Sequence, residues 1–485
     1  MKPKKLFDSA RQYAPLLAII LAAVIAVSAY LPALHYPFVS DDLNYIPENK
    51  KLLGLHWFEL WYLFVEPYNS SAEFLPLREL SYWLDMTLFG LNPTAFRLHN
   101  IILYLLCLPL VYATTLGLWR YFRPSDKLSA PWAAAAVTAL FALHPAFVES
   151  VVWISGRKYV LANLFAMLAL WFAVNARREY GLAVPHAVAT LIAFVAMMLS
   201  KSSYVALAPI ITMLWWLFWL DIPKPDRHRY WLLWPAALLF LAISLLWLFI
   251  TGSTKNPELY WGVEIIVRPL AILGWLTRLA FSPESRHYFY PVFDYQYHYG
   301  MVALGAIVLA AAAVGSVMLL RKRTLEGFTI VAFLLMCMPY LQLIPFVSPS
   351  MVQDRYLALA AWPAMLLLVA LAWRLKTFPR IALLLVFALM FGLQTFQRPR
   401  DWRSFEKLVD ADLRAFPGYY MPASFKIFPY QLSQRLTSEA YKTAGNVSDS
   451  EIRKALQGMV KIYEAGNDAV QSGNPKNAIE LLNAL

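Results

Sequence analysis

Long apolar runs separated by short polar segments dominate the hydrophobic pattern of this 485-residue chain. A run of about 17–22 residues is long enough for a helix to cross roughly 30 Å of hydrocarbon. The pattern predicts about eleven transmembrane helices, which are Tyr13–Leu34, Ile101–Trp119, Ala130–Leu143, Tyr159–Val174, Val184–Leu199, Tyr204–Leu220, Trp231–Ile250, Met301–Leu320, Phe328–Val347, Leu357–Trp373 and Ile381–Phe396. The predicted fold class is therefore an all-α integral membrane protein, with residues 1–396 as its transmembrane domain.

Three other regions interrupt this series of spans. The first outer loop, residues 35–98, has apolar residues at helical spacing over Leu75–Arg97, which predicts an amphipathic helix on the membrane surface. The apolar segment 263–281 also carries one acidic and two basic residues, and we interpret it as a juxtamembrane or re-entrant helix on the outer face. Residues 397–485 are polar and predict a small helical C-terminal domain. Near its end, Asn467–Leu482 resembles the turn of a tetratricopeptide (TPR) helix pair.

Composition and charge support the membrane assignment and exclude other classes. The chain is 60% hydrophobic with a mean hydropathy of +0.51. Its net charge of +12 does not indicate a nucleic-acid partner, because the basic residues cluster at the ends of spans, as membrane orientation requires. Lys2, Lys4, Lys5 and Arg11 precede the first span, which places the N-terminus in the cytoplasm. An odd number of spans then places the C-terminal tail on the outer side.

Two adjacent carboxylates, Asp41 and Asp42, follow the first span directly, and cationic residues occupy the later outer loops. The candidate phosphate-binding cations are Arg157, Lys158, Lys201 and Arg355. Arginine binds phosphate in a bidentate manner and lysine binds it as a point charge. A carboxylate beside them can take the proton from an incoming hydroxyl group. This combination is typical of glycosyl transfer from a lipid-linked phosphosugar, because the cations stabilise the departing phosphate.

Further polar and aromatic residues of the outer loops are candidates for substrate binding. They are Arg78, His99, Asn100, His144, Glu149, Trp153, Asp354 and Tyr356, and Trp57 and Trp61 are candidate sugar-stacking surfaces alongside Trp153. No zinc-type His/Cys spacing and no Gly-rich phosphate loop occurs. We therefore predict no metal site, no cofactor and no nucleotide-sugar donor. A divalent cation is not indicated, because the cations already supply the neutralising charge.

Structural interpretations of these residues remain open. Arg157 and Lys158 could anchor the start of a span at the interface, and Lys201 could extend to the interface from a buried position. His144 precedes a proline and could simply end a helix. Asp354 and Arg355 could form a structural pair between neighbours.

Several short motifs together resemble the GT-C superfamily of membrane glycosyltransferases. The nearest resemblance is to the TMTC-type branch, protein O-mannosyltransferases with tetratricopeptide tails. The motifs are Phe38-Val39-Ser40-Asp41-Asp42, Pro76-Leu77-Arg78-Glu79-Leu80-Ser81-Tyr82, Phe89-Gly90-Leu91-Asn92-Pro93, Phe96-Arg97-Leu98-His99-Asn100, Leu143-His144-Pro145, Val148-Glu149-Ser150-Val151, Ser155-Gly156-Arg157-Lys158 and Asp354-Arg355-Tyr356-Leu357. In this order they cover most of residues 36–363.

The resemblance implies a GT-C-like helical bundle that uses a polyprenyl- or dolichyl-phosphate sugar donor and inverts the sugar carbon. Asp41 would be the catalytic base and Asp42 its partner. The size of the chain resembles that of a bacterial relative in the inner membrane, with its active face and tail in the periplasm. The acceptor would be a glycan, a lipid or a protein.

Three alternatives remain. One is an oligosaccharide ligase or polymerase that uses a lipid-diphosphate-linked glycan. Another is a lipid or polysaccharide transporter, which would carry charged residues near the bilayer midplane; here the charges lie at span ends. The third is a non-catalytic scaffold whose tail binds partners.

Overall fold

A computed structural model describes residues 3–67, 73–178, 181–222, 238, 242, 264–282, 287–290, 298–343, 350, 352–416, 418–427 and 437–471. Apart from two positions, the predicted span Trp231–Ile250 lies outside the described residues. Most of the predicted repeat-like turn, Asn467–Leu482, lies outside them as well. Within these ranges the chain is almost entirely helical.

The described α-helices are α1 (Pro3–Tyr30), α2 (Asp42–Tyr45), α3 (Lys50–Leu53), α4 (Pro76–Phe89), α5 (Pro93–Phe122), α6 (Ala130–Leu143), α7 (Ala146–Val152), α8 (Arg157–Asn175), α9 (Val184–Ser200), α10 (Leu207–Leu220), α11 (Glu264–Phe281), α12 (His298–Lys322), α13 (Leu325–Cys337), α14 (Leu357–Ala372), α15 (Thr377–Gln397), α16 (Phe405–Ala415), α17 (Tyr420–Lys426), α18 (Thr437–Gly445) and α19 (Ser450–Gln471). Short 3₁₀ helices occur at Leu31–His35, Trp57–Phe64, Ile154–Gly156, Ser202–Ala206, Met338–Tyr340, Asp354–Tyr356 and Arg398–Arg403. Two two-residue strands, β1 (Arg177–Arg178) and β2 (Gly181–Leu182), pair antiparallel.

Seven helices in the described part of the chain are long and apolar enough to cross a membrane, and the bent pair α6 and α7 would make eight. The apolar helices Val184–Ser200 and Leu325–Tyr340 are shorter. The helix α11 coincides with the segment that we interpreted as juxtamembrane. The all-helical membrane architecture is therefore confirmed, whereas the count of about eleven spans and the outer-face position of α4 and α11 stay predictions.

The predicted helix over Leu75–Arg97 is two elements in the structure. The first, α4, ends where Gly90 adopts a positive φ of 65°, a conformation that glycine reaches without steric cost. The second, α5, begins at Pro93, and the Asn92 side chain caps it by accepting a hydrogen bond from the Thr94 amide at 3.0 Å. The sequence Gly-Leu-Asn-Pro thus breaks a run whose apolar periodicity alone would continue.

The structure separates into two compact units. The first comprises Met1–Arg286, Tyr299–Val347 and Asp354–Arg400. In it α6 packs against α1 and α5, while α8 packs against α5 and α9. Five alanines of α6 (Ala130, Ala133, Ala134, Ala135 and Ala142) are buried, and such small side chains let helix backbones approach closely. By contrast, α1, α12 and α15 carry many exposed apolar side chains, as expected of helices that face lipid.

The second unit comprises His287–His298, Ser348–Gln353 and Asp401–Leu485. Its described core contains Ala423, Ile427, Ala440, Ala444, Val447, Leu456 and Val460, which come from α17 to α19 and the turns beside them. The buried Asp412 carboxylate accepts hydrogen bonds from the amides of Tyr288 at 3.1 Å and Phe289 at 2.7 Å. These bonds fix the segment around Tyr288 to α16, although more than a hundred residues separate the two in the chain.

Candidate functional site

The carboxylate of Asp42 is a buried anchor in the turn that follows the 3₁₀ helix after α1. One oxygen accepts hydrogen bonds from the Ser155 amide at 2.7 Å and the Ser155 hydroxyl at 2.6 Å. The other oxygen accepts a bond from the Val39 amide at 3.1 Å. Burial raises the pKa of Asp42 to about 6, although these hydrogen bonds act in the opposite direction. Since the side chain has no exposed surface, its role in the structure is to join the first loop to the start of α8.

The neighbouring Asp41 has a different environment. It is partly exposed and occupies the N-cap position of α2, where its side chain makes no capping hydrogen bond. The residue before it, Ser40, has a positive φ of 56°, which is uncommon for a residue other than glycine. Of the two carboxylates, Asp41 is the one that keeps contact with solvent.

A buried arginine, Arg97, holds the same turn from α5. Its Nε donates to the carbonyl of Val152 at 2.9 Å. One terminal nitrogen donates to the carbonyl of Tyr36, and the other donates to that of Pro37 at 2.5 Å. The five N–H donors of a guanidinium group allow one side chain to satisfy several carbonyls at once. Arg97 is absent from the predicted site residues, although it lies within one of the motifs that carry the resemblance.

The guanidinium of Arg157 is the centre of a second buried network. It lies 2.6 Å from the Asp85 carboxylate, donates to the Asn100 amide oxygen at 2.7 Å and donates to the Phe96 carbonyl at 2.8 Å. His99 contacts the other oxygen of Asp85 at 2.8 Å. Because Arg157 is fully buried and bonded on several sides, the structure places it among protein partners. The predicted residues His99 and Asn100 lie in the same network.

Three cations converge on one carboxylate that the sequence patterns did not single out. The Glu73 oxygens lie 2.6 Å from the Lys158 ammonium, 2.8 Å from the Lys201 ammonium and 3.7 Å from the Arg78 guanidinium. Arg78 also pairs with Glu79. Burial alone would raise the pKa of Glu73, but the Lys158 and Lys201 charges outweigh it and hold that pKa well below its ordinary value. We call Lys158, Lys201 and Arg78 the cation cluster.

The ring of Tyr159 brings the cation cluster and Arg355 to one place. Its centroid lies 5.9 Å from the Lys158 ammonium, 5.5 Å from the Lys201 ammonium and 6.0 Å from the Arg355 guanidinium. A cation at this distance is attracted by the ring quadrupole. Residues from α8, the loop after α9 and the 3₁₀ helix before α14 therefore form one basic region.

A second ring, that of Tyr45, links the cation cluster to the acidic turn. The Arg78 guanidinium lies 4.5 Å from its centroid and the Lys158 ammonium lies 6.0 Å from it. The backbone amide of Tyr45 donates to the carbonyl of Asp41 at 3.0 Å. Asp41 thus lies one helical turn before the residue whose ring contacts Arg78 and Lys158.

Arg355 pairs with a carboxylate other than Glu73, that of Glu149. Glu149 accepts a hydrogen bond from the Arg355 amide at 2.9 Å and also pairs with the guanidinium group. That group lies 4.9 Å from the ring centroid of the buried Trp153. Beside it, Tyr356 stacks on Tyr340 with a centroid separation of 4.2 Å. Glu149 and Trp153 therefore fix the guanidinium of Arg355 from two sides.

Other predicted residues occupy structural positions or separate surfaces. His144 lies in the bend between α6 and α7, where Nδ1 accepts from the Ala146 amide and Nε2 contacts the Ala280 carbonyl, each at 3.2 Å. Asp354 is fully buried. Trp57 is exposed beside a cleft of about 450 Å³ in the first loop, and the exposed Trp61 stacks on the ring of Tyr62.

The structure thus brings most of the predicted residues into three connected groups, and it adds others that the prediction missed. Among the missed residues are Tyr45, Glu73, Asp85, Arg97, Ser155 and Tyr159. No sequence spacing singles out Glu73, since it is an isolated acidic residue in the polar stretch before Pro76. Arg97 could have been found, because a cation at the start of an apolar helix needs partners. Within the described residues no group of three or more His, Cys, Asp or Glu side chains could hold a metal ion.

Comparison with known proteins gives a partial resemblance. No family model matches the chain. Protein O-mannosyl-transferase TMTC2 of Mus musculus is 29% identical over 161 residues, which is 32% of this chain and 18% of that protein. TMTC4 of Mus musculus is 28% identical over 179 residues, 34% of this chain and 24% of that protein. TMTC1 of Homo sapiens is 32% identical over 165 residues, 32% of this chain and 18% of that protein.

These matches cover about a third of the chain, and they span a quarter or less of each of these three relatives. The resemblance to protein O-mannosyl-transferases that the motifs predict is confirmed over that third. Membership of the GT-C superfamily and a bacterial origin stay predictions.

Proposed function

We propose that the chain is a membrane glycosyltransferase that moves a sugar, mannose in the first instance, from a polyprenyl-phosphate donor to a hydroxyl group. The observation that carries the proposal is the convergence of Lys158 and Lys201 on one carboxylate. The Lys158 ammonium also lies 6.0 Å from the ring centroid of Tyr45, which is one helical turn after Asp41. Buried ammonium groups that share an anion can bind a phosphate in its place. The names of the relatives support mannose as the first sugar to test.

In the proposed reaction, the donor phosphate binds at the cation cluster and the lipid chain stays in the bilayer. Asp41 accepts the proton of the acceptor hydroxyl while the hydroxyl oxygen attacks the anomeric carbon. The attack comes from the face opposite the phosphate, and the bond between that carbon and the phosphate oxygen breaks as the new bond forms, so the configuration inverts. The released polyprenyl phosphate carries the electron pair of the broken bond. Lys158 and Lys201 stabilise the charge that develops on it.

The proposal gives the other buried charges positioning roles. Asp42 and Arg97 fix the turn that carries Asp41. Arg157 supports the start of α8, from which Lys158 projects. Arg355, held by Glu149, contributes positive charge at the Tyr159 ring. These assignments differ from the sequence-based expectation for Arg157, which placed that residue on the donor phosphate.

No divalent cation is required in this proposal, because the ammonium and guanidinium groups supply the neutralising charge. Turnover of the donor in the presence of EDTA tests that point. We place the site on the outer face of a bacterial inner membrane, with the N-terminus in the cytoplasm and the tail in the periplasm, since basic residues precede the first predicted span, Tyr13–Leu34. Thiol labelling of single cysteines introduced in the first loop and in the tail tests the orientation. The acceptor is a glycan, a lipid or a protein.

The direct test of function uses the purified chain and two synthetic donors, polyprenyl-phosphate mannose and a lipid-diphosphate-linked oligosaccharide. Mass spectrometry of the products separates the two chemistries. We expect a single added hexose from the monophosphate donor. Transfer of a whole glycan from the diphosphate donor alone would support an oligosaccharide ligase instead. Movement of the intact lipid across proteoliposomes without any bond cleavage would support a transporter.

A further inference from the structure

The position of Glu73 within the cation cluster has the geometry of an occupied anion site. One oxygen pairs with the Lys201 ammonium at 2.8 Å, and the other pairs with the Lys158 ammonium at 2.6 Å. The side chains of the two lysines are 12% and 8% exposed, whereas that of Glu73 is 32% exposed. Glu73 therefore has the most exposed side chain of the group, and both lysine side chains are largely buried.

The two lysines depend on this carboxylate for charge compensation. Within the described residues, Glu73 is the carboxylate that lies within 4.0 Å of either ammonium. Arg78, the third member of the cluster, has Glu79 as a second partner. Two buried cations without a counter-ion would be costly, so displacement of Glu73 requires another anion at the same place.

We infer that Glu73 is an internal competitor for the donor site, and that the lipid phosphate binds by displacing its carboxylate from Lys158 and Lys201. This inference rests on the proposed function. A sugar phosphodiester carries one negative charge, as Glu73 does, so the exchange leaves the charge balance of the buried cluster unchanged. The released phosphomonoester carries between one and two negative charges near neutral pH. This extra charge would make the product bind more tightly than the donor. The return of the Glu73 carboxylate to the two lysines acts against that tighter binding and favours product release.

Binding of a detergent-soluble lipid phosphate tests this inference without any need for turnover. Farnesyl phosphate is titrated into wild type, Glu73→Gln and the control Glu66→Gln at one fixed salt concentration. Glu66 is an exposed carboxylate of the same loop, so its variant reproduces the change in net charge. We expect Glu73→Gln to bind at least about tenfold more tightly than wild type, because the fraction of competent sites rises. The Glu66→Gln variant should stay within about twofold of wild type, since exposed charges are screened.

A second variant guards against a folding defect. In Glu73→Ala, added acetate can re-enter the vacated site and should weaken farnesyl phosphate binding, whereas wild type should not respond to it. Inorganic phosphate distinguishes a lipid site from a simple anion site, and it should bind far more weakly than farnesyl phosphate to every variant.

The outcomes separate this inference from the proposed function. Suppose that Lys201→Ala loses farnesyl phosphate binding while Glu73→Gln and Glu73→Ala bind no better than wild type. The inference would then be overturned, and the donor site would stand. If wild type and every variant fail to bind farnesyl phosphate, both are overturned. Equal affinity for inorganic phosphate and farnesyl phosphate would overturn the assignment to a lipid.

Discussion

The Ser155 hydroxyl donates to the Asp42 carboxylate at 2.6 Å, across 113 residues of sequence. This bond joins the acidic turn to the segment that leads into α8. It holds Asp42 inside the protein and leaves the adjacent Asp41 as the carboxylate that meets solvent. Asp42 therefore has a structural role, whereas Asp41 is the residue to which we assign the proposed chemistry.

Loss of the Ser155 hydroxyl should destabilise the protein. A hydrogen bond to a buried charged group contributes about 1.5–3 kcal/mol, and we expect Ser155→Ala to lower the free energy of unfolding by that amount. The measurement is denaturant-induced or thermal unfolding in detergent. Ser28→Ala is the matched control, because that hydroxyl donates to the Val24 carbonyl of its own helix. Equal stability of the two variants would contradict the anchoring role of Asp42.

The raised pKa of Asp42 gives a pH dependence of stability. Its value of about 6, against 3.8 for an unperturbed aspartate, means that the folded state favours the protonated form. The stabilising contribution is therefore complete below about pH 4 and is lost as the pH rises through about 6. Relative to Asp42→Asn, wild type should lose on the order of 3 kcal/mol across this range. Unfolding of both proteins at a series of pH values measures the difference, and a constant difference would contradict the assignment.

Replacement of Arg157 by lysine should be strongly destabilising. The guanidinium serves Asp85, Asn100 and the Phe96 carbonyl at once, and one ammonium group does not reach all three. Because breaking a buried ion pair costs about 3–5 kcal/mol, we expect Arg157→Lys to lose a comparable free energy of unfolding. Arg374→Lys is the control, since its guanidinium is largely exposed and such pairs contribute about 0–1 kcal/mol. A normally stable Arg157→Lys that fails only to bind donor would return Arg157 to the phosphate site.

Arg355 and Glu149 should act as a unit in donor binding. Arg355→Ala should weaken farnesyl phosphate binding, and Glu149→Gln should weaken it less, because it releases the guanidinium from its fixed position. The double variant should bind about as weakly as Arg355→Ala, with a coupling energy of about 1–3 kcal/mol. The measurement is a double-mutant cycle on the dissociation constant. Strictly additive effects would show that the two side chains act independently on donor binding, and would contradict the prediction.

The helices could be predicted because the residues that determine them are neighbours in the sequence. Apolar runs of sufficient length indicated α1, α5, α8 and α12 directly, and the Gly-Leu-Asn-Pro sequence carried the signal for the break between α4 and α5. The bend between α6 and α7, which measures 60°, likewise falls at the His144-Pro145 dipeptide. Local features of this kind can be recognised in a single sequence.

The separate roles of the site residues could not be predicted from the sequence, because they depend on contacts between distant segments. Nothing in Asp41-Asp42 indicates which carboxylate Ser155 binds. Arg157 and Lys158 are adjacent cations, yet one enters a closed network with Asp85 and the other meets Glu73. A sequence pattern assigns charge to a face of the membrane, whereas packing decides which charge is left for a ligand.

The most direct test of the proposed reaction is release of polyprenyl phosphate from synthetic polyprenyl-phosphate mannose by wild type, Asp41→Asn and Lys201→Ala, assayed side by side with acceptor present. We expect turnover by wild type. We expect normal donor binding by Asp41→Asn with a rate lower by about 10²–10⁴-fold, and weakened donor binding by Lys201→Ala. Full turnover by Asp41→Asn, or donor binding by Lys201→Ala equal to that of wild type, would contradict the proposed reaction.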